Sequence, residues 1–348
     1  MSSAVFAIPG DINLPTGGYA YDRRVLALLP TCGVTVRHLR LPAGYPAPTA
    51  SDLDATAAAF ADVPIGSVLL VDGLAYGAMP AHVIDRARTP IVALVHHPLW
   101  LEAGLSKPRQ DELFALEKAA LAKARRTITT SRITGDTLVQ DFAVPRELIT
   151  IAEPGTERAT RAASSNTTPH LVAVGSIVPR KAFDLLVRAL GRLEHLDWRL
   201  TIAGPADRSA AATRDLDAAI AATGLASRIT IAGPLSEGQL AALYATADVF
   251  VMSSLYEGYG MVLAEAMARG LPIVCTTGGA AADTVPDAAG FKVAPGDEAA
   301  FANAVGTVLR DAGLRRRMAD AAWTAAQSLP RWEETARIVA GVIEEVGQ

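Results

Sequence analysis

Short apolar runs alternate with longer, alanine-rich segments along the chain, and turns containing glycine or proline separate them. The apolar runs consist mainly of Val, Ile and Leu, as in strands that are buried on both faces of a parallel sheet. The alternation therefore predicts an α/β fold with helices on both faces of each sheet. The predicted strands are residues 5–8, 34–38, 67–71, 91–95, 127–130 and 148–151 in the first half, and 171–174, 199–202, 229–231, 249–252, 273–275 and 291–293 in the second.

Chain length and one polar segment predict how the strands divide into domains. The chain has 348 residues, more than a single hydrophobic core usually serves, so we expect two domains. Residues 155–169 are polar or small and lack apolar periodicity, which favours a linker. Each half is then a doubly wound domain. The predicted domains are residues 1–160 and 161–330, and residues 331–348 form a separate C-terminal helix.

Composition excludes several classes of protein. The net charge of −4 offers no basic surface for nucleic acid. Cys32 and Cys275 are the two cysteines and are far apart in sequence, so we interpret them as reduced core thiols. The N-terminus lacks a signal-peptide pattern, and no apolar stretch reaches the roughly 18 residues of a membrane span. We expect a soluble, cytoplasmic protein, with peripheral membrane contact left open.

The densest chemical signal lies where the predicted strand 249–252 passes into a helix. Gly258 and Gly260 precede helix-forming residues 261–269, and Gly270 is a suitable residue to end that helix. Glycines at a helix start leave backbone N–H groups accessible, so the segment Gly260, Met261, Val262 is a candidate phosphate site. A phosphate-bearing ligand is the first inference.

Two carboxylates flank this candidate phosphate site. Glu257 precedes the helix, and Glu265 lies about one turn inside it, where it can face the same crevice. Because a carboxylate repels a phosphate, the two groups are better suited to accept hydrogen bonds from sugar hydroxyls. The combination predicts a sugar nucleotide as ligand. The alternative is that both glutamates are solvated residues of the helix start.

A basic pair follows the first strand of the second half. Arg180 and Lys181 lie beyond strand 171–174, at the edge where open α/β sheets bind ligands. Fixed cations there would neutralise a diphosphate and stabilise the charge that builds on a departing nucleoside diphosphate. The alternative is an exposed basic pair at a helix start.

The segment from Glu257 to Glu265 resembles the E-x7-E signature of the retaining GT-B glycosyltransferases of family 4, the glycosyl transferases group 1. Further matches to that family occur in the same order along the chain, so the resemblance is more specific than one motif. Ser176 stands where many relatives have Arg or Gly. The matching segments are residues 171–181, 231–235, 253–267, 271–279 and 295–297.

The resemblance implies a GT-B fold, with two doubly wound Rossmann-like domains facing a central cleft. The first domain would bind the acceptor, the second would bind the nucleotide-sugar donor, and the C-terminal helix would return to the first domain. His96 matches the histidine that relatives place against the donor sugar, whereas the role of His97 stays open. Thr16 to Tyr19 resembles the family's glycine-rich loop, which makes Gly17 and Gly18 donor-site candidates. Weaker candidates for acceptor binding are Tyr19, Tyr21, Arg23 and Arg24.

Metal and dinucleotide sites are disfavoured. No further ligands recur at metal spacing around His96 and His97, and the acidic triplets at 52–54 and 215–217 are interpreted as helix-start residues. The glycines of 258–260 imitate a dinucleotide fingerprint, but the following strand ends in Thr276 and Thr277 without a ribose-binding acid. We therefore expect neither a metal nor NAD, and no other cofactor.

We predict a retaining, metal-independent glycosyltransferase that uses a UDP- or GDP-linked sugar and an unidentified hydroxyl acceptor. The catalytic candidates are His96, Arg180, Lys181 and Glu257. Donor binding would fall to Gly17, Gly18, Arg180, Lys181, Glu257, Gly258, Tyr259, Gly260, Met261, Val262 and Glu265, with Glu257 on the sugar and Glu265 on the ribose. A sugar-nucleotide epimerase and a non-catalytic sugar-nucleotide-binding subunit are the alternatives.

Overall fold

The computed structural model describes residues 2–348, which divide into two compact units. The first unit consists of Met1–Gly155 and Pro330–Gln348, and the second of Thr156–Leu329. The boundary between the first and second units therefore lies between residues 155 and 156, five residues before the predicted boundary between residues 160 and 161. The C-terminal segment groups with the first unit.

Each unit is built on a parallel six-stranded sheet. The strand order is β2-β1-β3-β4-β5-β6 in the first and β12-β11-β10-β7-β8-β9 in the second. All twelve predicted strands are confirmed, with ends displaced by at most three residues, as at β1, which begins at Ser2 instead of residue 5. The strands are β1 Ser2–Pro9, β2 Val34–Leu41, β3 Ser67–Asp72, β4 Ile91–Val95, β5 Arg126–Thr129, β6 Ile149–Ile151, β7 His170–Val174, β8 Arg199–Ala203, β9 Ile229–Gly233, β10 Val249–Met252, β11 Ile273–Thr276 and β12 Gly290–Val293.

Helices connect the strands, and side chains on both sides of each sheet form the cores. β3, β4 and β10 are buried along their whole length, as their apolar sequences predict. The helices are α1 Gly17–Leu28, α2 Ala50–Ala61, α3 Gly73–Tyr76, α4 Ala81–Ile84, α5 Lys107–Leu121, α6 Arg132–Phe142, α7 Phe183–Gly191, α8 Ala210–Thr223, α9 Glu237–Ala245, α10 Met261–Met267, α11 Ala281–Thr284, α12 Glu298–Arg310, α13 Ala312–Ala326 and α14 Trp332–Val346.

Side-chain caps decide where several helices begin. The Thr16 hydroxyl accepts a hydrogen bond from the Tyr19 N–H, so α1 starts at Gly17. The prediction of a glycine-rich loop at Gly17 and Gly18 is therefore wrong. Glycine is tolerated in a first turn because its N–H has no helical partner there, and the threonine cap offsets its low propensity.

The two acidic triplets differ in position. Asp52 forms a reciprocal capping box with Thr49 at the start of α2, which confirms its interpretation as a helix-start residue. Asp215 and Asp217 instead lie inside α8, which Ser209 caps. Their interpretation as helix-start residues is wrong, because the serine three residues before Ala212 supplies the cap.

The predicted linker packs against the second unit. The Ala162 N–H donates to the Arg269 carbonyl at 2.8 Å, and the Asn166 side chain donates to Asp248 at 2.7 Å. Ala162 is buried, so this segment packs against the rest of the second unit even though it contains no helix or strand. Small polar residues thus indicated irregular backbone correctly but not where that backbone packs.

The two cysteines differ in burial. Cys275 is buried as expected, whereas Cys32 is half-buried in a 3-10 turn that follows α1, so it is not a core thiol. Within residues 2–348, no helix is long and apolar enough to cross a membrane.

Candidate functional site

The loop after β10 places Glu257 beside the turn that follows β11. The Glu257 N–H donates to the Gly278 carbonyl at 3.1 Å, and the Ala280 N–H donates to the Glu257 carbonyl at 2.8 Å. A Cβ atom on Gly279 would lie 2.2 Å from the Glu257 carbonyl oxygen, so only glycine permits this approach. The backbone of Glu257 is therefore held from two sides.

The two predicted phosphate-binding cations meet Glu257 directly. The Lys181 Nζ lies 2.6 Å from Oε1 of Glu257, and an Arg180 guanidinium nitrogen lies 3.3 Å from Oε2. The same guanidinium group donates to the Tyr256 carbonyl at 2.7 Å. A 3-10 turn over Pro179–Lys181 brings both cations to this place after β7. The structure thus brings together three of the four predicted catalytic residues.

The electrostatics of this cluster follow from its burial. Burial alone would raise the pKa of the Glu257 carboxyl, but the charges of Lys181 and Arg180 outweigh it and lower the pKa to about 2. Glu257 is 6% exposed and ionised at neutral pH. Two cations against one carboxylate leave one positive charge in excess. The cluster of Glu257, Lys181 and Arg180 can therefore attract an anion while its ion pairs hold the three side chains in place.

Glu265 has different contacts. It lies on α10 and accepts a hydrogen bond from the Tyr244 hydroxyl at 3.1 Å. Burial raises its pKa, and the guanidinium group of Arg269 covers the Tyr244 ring at 4.6 Å from the centroid. The buried tyrosine orients the carboxyl group, a contact that the E-x7-E motif did not reveal.

The remaining predicted donor-site residues of this unit form the turn into α10. Gly260 has a φ of +87°, a left-handed conformation that favours glycine, and it directly precedes the helix. The carbonyl of the buried Tyr259 accepts a hydrogen bond from Thr284, and Gly258 lies between Tyr259 and Glu257. Met261 and Val262 are half-buried in the first turn of the seven-residue helix.

In the first unit, His96 follows β4 and contacts two buried aspartates. Its Nε2 atom lies 3.1 Å from Oδ1 of Asp22 on α1 and 3.6 Å from Oδ2 of Asp72 at the end of β3. Asp22 is fully buried and Asp72 is 2% exposed. Asp22, Asp72 and His96 each offer one atom, and these atoms lie within 4.8 Å of one another, although the three residues show no metal spacing in the sequence.

Asp22, Asp72 and His96 shift each other's pKa values. Burial and the neighbouring Asp72 raise the pKa of Asp22 well above its usual range. Burial would also raise the pKa of Asp72, but hydrogen bonds from His96 and Asp22 outweigh it and lower that pKa. Burial opposes protonation of His96, yet the two aspartates raise its pKa to about 10. The directions of these pKa shifts favour a proton on Asp22, a negative charge on Asp72 and a protonated His96.

Sequence reasoning missed Asp22 and Asp72. Asp72 carried a usable signal, because it ends the buried apolar strand β3 at the carboxyl edge of the sheet. Asp22 carried a weaker one, as an acid between the buried Tyr21 and Val25 of an amphipathic helix. Neither residue is near His96 in sequence.

The predicted residues of α1 have mainly structural contacts. The Tyr19 hydroxyl donates to the Pro9 carbonyl at 2.7 Å, and the Tyr21 hydroxyl donates to the Ala152 carbonyl at 2.9 Å. Arg23 donates to the carbonyls of Ile12 and Leu14, which fixes the preceding loop.

Of the other predicted residues in the first unit, Gly18 contacts His96, whereas Gly17, Arg24 and His97 have separate positions. Gly18 lies against His96, since a Cβ atom on it would be 3.3 Å from the ring. Gly17 is the first residue of α1, and Arg24 is exposed on that helix. His97 contacts Glu102 at 3.1 Å, so it does not join the cluster of His96.

Comparison with solved structures defines the class. Sucrose-phosphate synthase from Thermosynechococcus elongatus matches with a TM-score of 0.85 at 21% identity, over 99% of each chain. The Anabaena protein HepE, in complex with UDP-glucose, matches with a TM-score of 0.79 at 19% identity, over 99% of this chain and 100% of HepE. The fold is therefore GT-B, as predicted.

The sequence comparisons identify the family. Residues 168–311 match the model for glycosyl transferases group 1. D-inositol 3-phosphate glycosyltransferase of Nocardia farcinica is 31% identical over 257 residues, 67% of this chain and 56% of that relative. The chain belongs to the group 1 glycosyl transferases, which confirms the predicted family. It spans little more than half the length of this curated relative.

Proposed function

We propose that the protein transfers a sugar from a nucleoside-diphosphate sugar to a hydroxyl acceptor. The observation that carries the proposal is the contact of Lys181 and Arg180 with the buried Glu257 in the second unit. Two fixed cations and one carboxylate make a site that attracts a diphosphate and also offers an acceptor for sugar hydroxyls. HepE, a protein with the same fold, has UDP-glucose bound, which supports a nucleotide-sugar donor.

The cations supply the main catalytic effect in this proposal. When the bond between the sugar and the diphosphate breaks, negative charge accumulates on the departing diphosphate. Cations that Glu257 already holds in place need no reorganisation, so they stabilise the transition state more than the ground state. Because side chains supply the neutralising charge, we propose that transfer requires no divalent ion.

We further propose that transfer retains the configuration of the sugar by attack on one face. Glu257 is the carboxylate of this cluster, and a double displacement would require it as a nucleophile. Its two oxygens contact Lys181 and Arg180, and a pKa of about 2 makes it a weak nucleophile. The acceptor hydroxyl would then attack from the side of the departing diphosphate, whose oxygens would accept the proton.

Glu265 and His96 have supporting roles in the proposal. The Glu265 carboxylate would accept hydrogen bonds from the ribose hydroxyls, with Tyr244 keeping it in orientation. His96 would hydrogen-bond a hydroxyl of the donor sugar. Both contacts involve neutral hydroxyl groups, which suit these side chains.

Thermal unfolding with UDP, GDP, ADP and their sugar conjugates tests the proposal. A nucleotide at 100 times its dissociation constant should stabilise the folded protein by about 2.7 kcal/mol. We expect one base to be preferred, and we expect the effect to persist with EDTA. No stabilisation by any of these nucleotides would contradict the proposal, and loss with EDTA would contradict its metal-free part.

Matched variants assign the effect to the site. Lys181→Met should weaken nucleotide binding at least tenfold, whereas Lys123→Met, which breaks an exposed pair with Asp85 in the first unit, should leave it unchanged. Glu265→Gln should weaken nucleotide binding, with the exposed Glu194→Gln, in the turn after α7, as control. Equal affinity in Lys181→Met and Lys123→Met would remove Lys181 from the donor site.

A further inference from the structure

Two buried carboxylates from separate elements converge on one nitrogen of His96. Asp22 comes from α1 and Asp72 from the end of β3, and both approach Nε2, at 3.1 and 3.6 Å. β3 and β4 are parallel neighbours, with Asp72 opposite Leu94, so the sheet register brings Asp72 next to the residue that follows β4. The position of Asp72 is fixed further because its Oδ1 accepts the Leu74 N–H at the start of α3.

Other contacts restrain the ring and its backbone. The Tyr21 ring meets the imidazole edge-on, with 5.2 Å between the centroids. Gly18 leaves room for the ring on the side of Cδ2, and the Thr130 hydroxyl donates to the His96 carbonyl at 3.1 Å. The ring is 19% exposed. With Nε2 directed at the aspartates, Nδ1 is the ring nitrogen left to contact a ligand.

We propose that Asp22 and Asp72 are positioning residues that hold the His96 ring protonated and in one orientation, so that Nδ1–H donates to an oxygen of the substrate. Identification of that oxygen as a sugar hydroxyl rests on the proposed function. The protonation and orientation of the His96 ring follow from its contacts with Asp22 and Asp72 in the first unit and do not depend on transfer activity.

The number of carboxylates explains the protonation. Two adjacent buried carboxylates repel each other, so the pair favours keeping one proton. The remaining negative charge stabilises a positive imidazole ring. The titratable groups that face His96 are Asp22 and Tyr21 from α1 and Asp72 from β3, while the adjacent His97 is paired with Glu102. A protonated His96 cannot take a proton from an acceptor hydroxyl, so the cluster produces a hydrogen-bond donor and not a base.

Nitrogen NMR of residues 1–348, labelled with ¹⁵N-histidine, tests this directly. His96→Gln identifies the His96 signals. We expect both ring nitrogens of His96 in the wild type to stay protonated from pH 6 to 8.5. In the double variant Asp22→Asn/Asp72→Asn, which removes both carboxylates and keeps their shape, His96 should titrate within or below that range. Its midpoint should fall by at least one pH unit, a tenfold change in proton affinity.

Glu102→Gln is the matched control, because it removes the carboxylate beside the neighbouring His97 and should leave His96 unchanged. A wild-type His96 that titrates near pH 6.5 would overturn the proposal without any variant. So would a folded double variant in which His96 keeps its wild-type signals throughout.

A binding measurement separates this inference from the proposed function. The nucleoside diphosphate of the base that thermal unfolding selects lacks the sugar, and it should stabilise the double variant as it does the wild type. Turnover of its sugar conjugate should fall at least tenfold in the double variant and decline further as pH rises. Wild-type turnover of that conjugate in the double variant would exclude a positioning role. Failure of every nucleotide to bind the wild type would contradict the proposed function and leave the NMR result as the test of the cluster.

Discussion

Glu117 shows how one buried carboxyl group makes stability depend on pH. It lies on α5, is 1% exposed, and accepts the Leu99 N–H at 2.9 Å, close to the loop that contains the two histidines. Its Oε1 atom has no hydrogen-bond partner among the residues that the structure describes. Burial raises its pKa from 4.5 to about 8. The folded protein therefore favours the neutral form, which the unfolded chain loses near pH 4.5.

We expect Glu117→Gln to stabilise the protein above pH 5, increasingly so up to pH 8. Between the unfolded pKa of 4.5 and the folded pKa of about 8, the folded state binds one more proton, so wild-type stability falls as pH rises. The slope is about 1.4 kcal/mol per pH unit for a full proton, and glutamine removes it while keeping an acceptor for Leu99. Urea unfolding at pH 5 and 8 measures the change.

The exposed Glu112 on the same helix provides the control for this prediction. Its side chain is 58% exposed and pairs with Arg109, so Glu112→Gln should not change the pH slope. An unchanged slope in Glu117→Gln would mean that Glu117 is ionised in the folded protein at neutral pH.

At the scale of elements, the turns after β7 and β8 nearly touch. A Cβ atom on Gly204 would lie 1.9 Å from the Gly175 carbonyl oxygen and 3.1 Å from the Ser176 nitrogen. The Gly204 N–H donates to the Gly233 carbonyl at 2.8 Å, so this backbone cannot move away without losing a ladder bond. The turn after β7 leads directly to Arg180 and Lys181. Close backbone packing thus supports the candidate donor site.

We expect Gly204→Ala to destabilise the protein by more than about 2 kcal/mol, because the methyl group would force apart two strand ends. It should also weaken nucleotide binding through the displaced 3-10 turn. Gly238→Ala is the control, since nothing lies within 4 Å of its added Cβ atom near the start of α9. That variant should be neutral or more stable by up to about 1 kcal/mol. Equal unfolding midpoints in urea would refute the clash.

At the scale of the whole molecule, the two units differ in continuity. The second unit is one segment, Thr156–Leu329, whereas the first needs α14 from the end of the chain. On α14, Trp332 meets the Tyr21 ring at 5.7 Å between centroids, and Thr335 donates to the Glu153 carbonyl at 2.6 Å. One face of α14 is buried and therefore forms part of the first unit's core.

We expect residues 156–329 to fold alone, with a cooperative urea transition and the nucleotide binding proposed for the full chain. Residues 1–155 alone should lack cooperative unfolding, because the apolar surface that α14 covers would face water. Adding a peptide of residues 330–348 should restore the transition, and a peptide with Trp332→Ala should do so less well. Circular dichroism with urea measures both, and cooperative unfolding of residues 1–155 alone would contradict the expectation.

The sequence by itself determined the features that depend on neighbouring residues. Apolar runs predicted every strand, and glycines with helix-forming residues predicted the turn into α10, because strand and helix propensities act over a few residues. Ordered motifs such as Glu257 with Glu265 identified the family. The start of α1 was missed because a single cap at Thr16 outweighed two glycines.

Only the tertiary structure decided which distant side chains meet. His96 and Asp22 are 74 residues apart, and Lys181 and Glu257 are 76 apart. The contacts of His96 with Asp72 and of Lys181 with Glu257 follow from strand order, which places β3 beside β4 and β7 beside β10. Strand order depends on packing of the complete core, and no local pattern encodes it. The charges of His96 and Glu257 in turn depend on those contacts and on burial, so they too belong to the folded molecule.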